Sequence, residues 1–305
     1  MTQVQRYLRY SLDRGVGEAN IPQNHFIDLA ADLSYVNSRL YRQGREYFVK
    51  SIKVMSTNTP TGYVEVATLP CSWPVFAAYK KARGLWNKMN SKALADAGLT
   101  KKHIARWHDF KVYMQNDMRL SGALLKPVDS NENQGNYGGG EEWEYSKYVS
   151  TDGTLNDEFD VHMLGGHLGT EGSLISASIM HGFEETRIQP DEDSPDLDPA
   201  FDTSWMSNLF DVQGAVDDVI ANMDEFNDAP PYHPTQIVGA STLPQPLTVG
   251  WTSLNNTKSQ GFIGGFCAPL GLLKITHMSS EDDDSIHIIV ELQQGKYKGV
   301  RADAI

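Results

Sequence analysis

The sequence predicts an all-β protein with inserted helices, arranged as β-sandwiches or jelly rolls. Three observations carry this. Aromatic residues make up 10% of the chain, and its 26 Gly and 14 Pro suit a turn-rich β protein better than a helical bundle. Short runs of β-formers recur between Pro, Gly and Asn turns. A jelly roll needs about eight strands, close to what each half can supply. With 305 residues, 40% of them hydrophobic, the chain can bury one or two cores. The expected division is a first jelly roll over 1–140 with a helix inserted at about 74–97. A second jelly roll then covers 141–305, with a helix inserted at about 204–226.

"VQRYLRYSL" (4–12) reads as the first strand, closed by Gly15 and Gly17. In "NHFIDLAADLSYVNSRLYRQG" (24–44) the first half suits a strand, and "DLSYVNSRLYRQG" suits a short helix stopped at Gly44. "EYFVKSIKV" (46–54) and "YVEVATL" (63–69) alternate with period two and read as a hairpin with a long loop. "SWPVFAAYKKARGLWNKMNSKALADAG" (72–98) then takes helical spacing, with Ser72 as N-cap, Pro74 in the first turn and Gly98 as the stop. Its apolar stripe is Val75, Tyr79, Ala82, Trp86, Met89 and Ala93. "HDFKVYM" (108–114) suits a further strand, and the Asn- and Gly-rich stretch 124–145 suits a boundary or surface loop.

The pattern then repeats as organisation. "DEFDVHMLGGHLGTEGSLISASIMHGF" (157–183) reads as strand, Gly turn and strand, and "SWMSNLFDVQGAVDDVIANMDEF" (204–226) as a helix that again begins with Ser-Trp. Five short strands finish the chain: "TQIVGAS", "PLTVGW", "GFIGGFCA", "LLKITHM" and "SIHIIVEL".

Net charge is −13, which argues against a general nucleic-acid coat and against sequence-specific nucleic-acid binding. The charge is polarised. Residues 1–150 hold 20 Lys and Arg against 14 Asp and Glu, net +6, whereas 151–305 hold 6 against 25, net −19. Such asymmetry fits two faces that attract in an assembly. The two cysteines, Cys71 and Cys267, are too few for a disulfide framework and have no metal-type spacing, so both are expected as buried thiols in a reducing compartment. No signal-peptide core or membrane span is expected, since the longest apolar run, 262–273, is broken by Gly and Pro.

Signatures of catalysis are missing: no nucleophile elbow, Walker loop, zincin motif or dinucleotide fingerprint occurs. No catalytic or cofactor-binding residue is therefore expected. His162 and His167 are a weak metal pair, more simply two polar turn residues. Asp191, Asp193, Asp196 and Asp198 form a weak Ca²⁺ candidate, but Asp196 stands where an EF-hand loop needs Gly. A sugar-active sandwich is the alternative reading. It would use Trp143, Trp205 or Trp251 as a stacking platform and a pair drawn from Glu141, Glu142, Glu144, Glu184 and Glu185. On the long helix, Lys80, Lys81, Arg83 and Lys88 lie largely off the apolar stripe and fit a solvated face, a surface docking against the acidic half of a neighbouring copy, or, with Trp86 and Trp107, a nucleic-acid backbone contact.

Over residues 32 to 95, "DLSYVNSRLYRQGREYFVKSIKV" and "VEVATLPCSWPVFAAYKKARGLWNKMN" resemble the N-terminal half of capsid proteins of small circular single-stranded DNA viruses. The group named by the resemblance is the major capsid protein of finnlakeviruses, lipid-containing icosahedral phages. It implies a double jelly roll, two rolls in one chain, standing upright in a pseudo-hexameric homotrimer. Such trimers would build an icosahedral shell with neighbouring capsomers, minor capsid or vertex proteins and an internal membrane. The protein would be made in the host cytoplasm, reside in the virion and have no enzymatic activity. The sequence departs from many such capsids in one respect: "MTQVQRYLRYSLDRG" is not an arginine-rich genome-binding arm.

Overall fold

A computed structural model describes residues 4–13, 19–56, 61–100, 102, 104–120, 122–129, 143–151, 156–170, 173–185, 244–255, 257–281 and 285–305. Strands dominate it, as the composition predicted. In chain order the first elements are β1 (Tyr7–Asp13), β2 (Gln23–Asp28), α1 (Leu29–Asn37), β3 (Arg45–Ser56), β4 (Gly62–Thr68) and α2 (Trp73–Asp96). Next come β5 (Lys147–Thr151), β6 (Asn156–His162), β7 (Leu168–Thr170), β8 (Ser173–Ser178) and α3 (Ile179–Glu185). The chain ends with β9 (Leu247–Leu254), β10 (Gln260–Ile263), β11 (Phe266–Pro269), β12 (Leu272–Ser279), β13 (Ser285–Leu292), β14 (Gln294–Gly295), β15 (Gly299–Val300) and β16 (Ala302–Ala304).

Strand pairing joins the two ends of the chain. One sheet runs β1-β13-β3-β10, with β11 and β16 also paired to the long β3. The other runs β2-β12-β4-β9. All these pairs are antiparallel. The first strand pairs with a late one, the second with the one before it, and so inward until β4 meets β9. Eight strands nested in this way over two sheets make one jelly roll. The described residues from α2 to α3 are inserted between β4 and β9, and some lie back on the roll: Leu125 donates to the Phe26 carbonyl and Val128 to the Arg9 carbonyl.

Alternation decides which residues fill the roll. Leu8, Tyr10 and Leu12 of β1, Ile52 and Val54 of β3, and Ile286, Ile288 and Val290 of β13 face inward from one sheet. Ile27, Val64, Val66, Leu254, Leu273 and Ile275 meet them from the other. Each such side chain contributes roughly 1.5–3 kcal/mol by leaving water. A second core lies outside the roll, where Val75, Tyr79 and Trp86 of α2 pack with Phe110, Val112, Met114, Met163 and Met180.

Several expectations are corrected by the pairing. The boundary at 140/141 does not separate two barrels, because strands from 7–68 and 247–304 share both sheets. β3 and β4 are not a hairpin: they lie in opposite sheets, each with other partners. The strands within 157–183 are not a hairpin either, since β6 and β8 run parallel, in a sheet ordered β5-β6-β8-β7. Residues 108–114 form no sheet strand but a bridge, with Tyr113 meeting His162. The short helix starts earlier than expected, because Asp28 rather than a later residue caps it, accepting from the amides of Ala30 and Ala31. The long helix falls where predicted. Ser72 stands at its N-cap without a side-chain capping bond, and Gly98 takes φ +65 just beyond its end. The helix at 204–226, the strand at 235–241 and the acidic loop lie outside the described residues.

Candidate functional site: a buried joint, a basic helix face and a thiol cluster

One carboxylate gathers hydrogen bonds from both the roll and its excursion. Asp28, at the end of β2, is fully buried. Its Oδ1 accepts from the amides of Ala30 and Ala31, at 3.0 and 3.1 Å. Its Oδ2 accepts from Gln43 Nε2 at 3.1 Å, Trp143 Nε1 at 3.2 Å and the Tyr145 hydroxyl at 3.2 Å. Gln43 in turn clasps the backbone of Val112, donating to its carbonyl and accepting from its amide. Lys111, almost fully buried, donates to the Trp107 carbonyl and lies over the Trp143 ring at 4.5 Å. Burial lifts the Asp28 carboxyl to about 6 despite the donors around it. Burial also raises Asp32, which accepts from the Tyr10 hydroxyl at 2.5 Å. Trp143 is thus a buried structural residue, not a sugar platform.

His162 is likewise structural. Its Nδ1 meets Ser176 Oγ at 2.7 Å and its Nε2 meets the Gly166 carbonyl at 3.0 Å, so both ring nitrogens are engaged. Burial lowers it to about 4, leaving it neutral at physiological pH. His167 accepts from the Ser178 amide, and its ring neighbours His181 instead. Both histidines are thus engaged in hydrogen bonds of the turn between β6 and β8.

The candidate assembly residues behave differently from one another. Lys80, Lys81 and Lys88 are exposed on α2, whereas Arg83 turns inward to Asp109, 4.0 Å away. The helix is held by Trp86 against His108 and Phe110, and by the Tyr148 hydroxyl donating to the Ala82 carbonyl at 2.6 Å. Of the predicted stripe, Ala93 is exposed. Between α2 and the β5–β8 sheet lies an apolar groove of about 210 Å³, lined by Leu85, Tyr148, Phe159 and Phe183 among others. Large apolar side chains also face outward on the roll: Trp251 on β9 is 59% exposed beside Tyr63, and Phe262 on β10 is 63% exposed. Both strands lie at sheet edges.

Sequence reading missed one grouping. Cys71 follows β4, Cys267 lies on β11, and Glu46 lies on β3, yet their ligand atoms all fall within 4.8 Å of one another. Cys267 donates to Glu46 Oε1 at 3.0 Å. Cys71 is exposed and Cys267 partly so, a correction to the expectation of two buried thiols. The neighbouring Cys267 draws the Cys71 thiol below its ordinary value, while the contact with Cys71, burial and Glu46 together raise Cys267. No spacing signal was available, because pairing between β3 and β11 brings residues 46 and 267 together. Of the other sugar-site and calcium candidates, Trp205, Glu141, Glu142, Asp191, Asp193, Asp196 and Asp198 lie outside the described residues, as do the side chains of Glu184 and Glu185, and Glu144 is exposed on the approach to β5.

Among the described residues no helix is long and apolar enough to cross a membrane. Comparison with family models, curated proteins and solved structures finds no match to the chain.

Proposed function

We propose that the protein is a shell-forming subunit, a viral major capsid protein that self-assembles through pseudo-hexameric trimers. The observation that carries this reading is the nested eight-stranded roll with a helix-bearing excursion inserted between β4 and β9. A jelly roll hosts many functions, so the fold alone does not decide. Two further features favour assembly. The stretch 32–95 resembles such capsid proteins, and large apolar residues sit on edge strands and on the exposed face of α2, as expected of contact surfaces.

The double jelly roll enters the proposal in a modified form. Strands from both halves of the chain support one roll, and the second is proposed to include the β5–β8 unit. Minor capsid or vertex proteins and an underlying membrane remain the expected partners of such a shell.

The test is the mass of the purified chain in dilute buffer, followed by electron microscopy of the same sample. The expected result is a trimer of about 100 kDa, three copies of 33.9 kDa, with a pseudo-hexagonal outline. A stable monomer overturns the reading. It would favour the sugar-binding sandwich instead, for which the exposed Trp251, beside the half-buried Tyr63 with centroids 6.4 Å apart, is the specific support. Glycan binding lost on Trp251→Ala would establish that alternative.

A further inference from the structure

We propose that Cys71, Cys267 and Glu46 form a binding site for one thiophilic divalent cation of the Zn²⁺ class. This inference does not depend on the assembly reading. Three different parts of the fold deliver the ligand atoms: the loop leaving β4, the strand β11, and the start of β3. The β3–β11 ladder fixes two of them. Cys267 stands opposite Phe48, and Glu46 is two residues further along the same strand, so both point to one face of the sheet. The third ligand is carried on the short link between β4 and α2.

The distances suit the ion. A tetrahedral Zn²⁺ holds sulfur at about 2.3 Å and carboxylate oxygen at about 2.0–2.2 Å, which places its ligand atoms roughly 3.5–3.8 Å from one another. The three atoms here already lie within 4.8 Å, and the Cys267 sulfur is 3.0 Å from Glu46 Oε1. Closing on an ion therefore needs shifts of about an ångström, and the exposed Cys71 is the part best placed to make them. That same exposure supplies the entry path and leaves the fourth position to water.

Protons balance simply. In the metal-free state a Cys267 thiol proton bridges to Glu46. An M²⁺ ion takes the place of that proton and of the Cys71 thiol proton, and both leave to solvent, so binding weakens as pH falls. No electron changes hands, and no oxidant is required. The ion would tie the exit of β4, where the excursion begins, to the sheet that contains both chain ends.

The experiment uses the full-length chain, reduced and stripped of metal, titrated with Cd²⁺ while the ultraviolet thiolate-to-metal charge-transfer band is followed. The expected result is saturation at one ion per chain with the intensity of two thiolates, displacement by Zn²⁺, and roughly halved intensity in Cys71→Ser. Glu46→Gln should keep the band and bind roughly tenfold or more weakly. A second measurement needs no variant: Zn²⁺ should slow alkylation of Cys71 in the unmodified protein. The proposal is overturned if no band appears, if Cys71→Ser leaves it unchanged, or if Zn²⁺ leaves alkylation untouched. It is also overturned if the two thiols are recovered as a disulfide that takes up no ion after reduction.

Discussion

At the scale of single residues, the joint around Asp28 is where the physics is most exposed. Five donors aim at one carboxylate, yet burial outweighs them and holds its pKa at about 6 against 3.8 in the unfolded chain. The sign follows from linkage. Between those values the folded state keeps a proton that the unfolded state has lost, so stability falls as pH rises from about 4 to about 6 and is level above that. The shift corresponds to about 3 kcal/mol. Asp32 acts in the same direction, whereas His162, held near 4, costs stability as pH falls from 6.5. The clean measurement is therefore a difference. The stability of the wild type minus that of Asp28→Asn should drop by about 3 kcal/mol between pH 4 and pH 7 in urea titrations. A difference that does not vary with pH would mean that Asp28 stays ionised in the fold. The variant itself should be less stable at neutral pH by about 1–3 kcal/mol, because its amide faces three donors.

At the scale of elements, the strands were legible and their partners were not. Period-two alternation in "YLRYSLD", "SIHIIVEL" and "LLKITHM" says which side chains point inward, and the structure buries Leu8, Ile288 and Ile275 accordingly. It does not say which strand lies alongside. Sequence neighbours looked like hairpins, but the connection from β3 to β4 crosses between sheets, and each finds partners more than 200 residues away. The same non-local pairing hid the thiol cluster. The long helix was legible because its caps and stripe are local, and Trp86 and Tyr79 duly anchor it. Inside and outside positions on these strands should separate in a mutational test. Ile288→Ala, in the middle of the roll, should cost about 2–5 kcal/mol. Trp251→Ser, on the outer face of β9, should change monomer stability by less than about 0.5 kcal/mol while reducing self-association. If Trp251→Ser unfolds the chain, or leaves association untouched, the outer face of β9 is not a contact surface.

At the scale of the whole molecule, the polarity of charge is the feature that the proposed assembly must answer to. Lys80, Lys81 and Lys88 stand exposed on one helix. The described acids of the second half are partly neutralised within the chain, Glu158 by Lys147 and Asp160 by Arg119, each at 2.7 Å. In sequence, the acidity of the second half is densest in 186–243, with twelve Asp and Glu and a single Arg. Opposite fields on two parts of one subunit attract between copies arranged head to tail around a ring, and such contacts are screened beyond about 8 Å at physiological ionic strength. If the chain assembles as proposed, association between its oligomers should therefore weaken steeply with salt, more in rate of encounter than in final affinity. Reversing the helix face, with Lys80→Glu, Lys81→Glu and Lys88→Glu together, should have the same effect at low salt. It should leave the folding stability of the separate subunit within about 0.5 kcal/mol per site, since surface charges contribute little to it. Light scattering across a salt series checks both variants of the argument. Shells that persist unchanged in molar salt, and a triple variant that assembles normally, would transfer the work of assembly from charge to the apolar edges at Trp251 and Phe262.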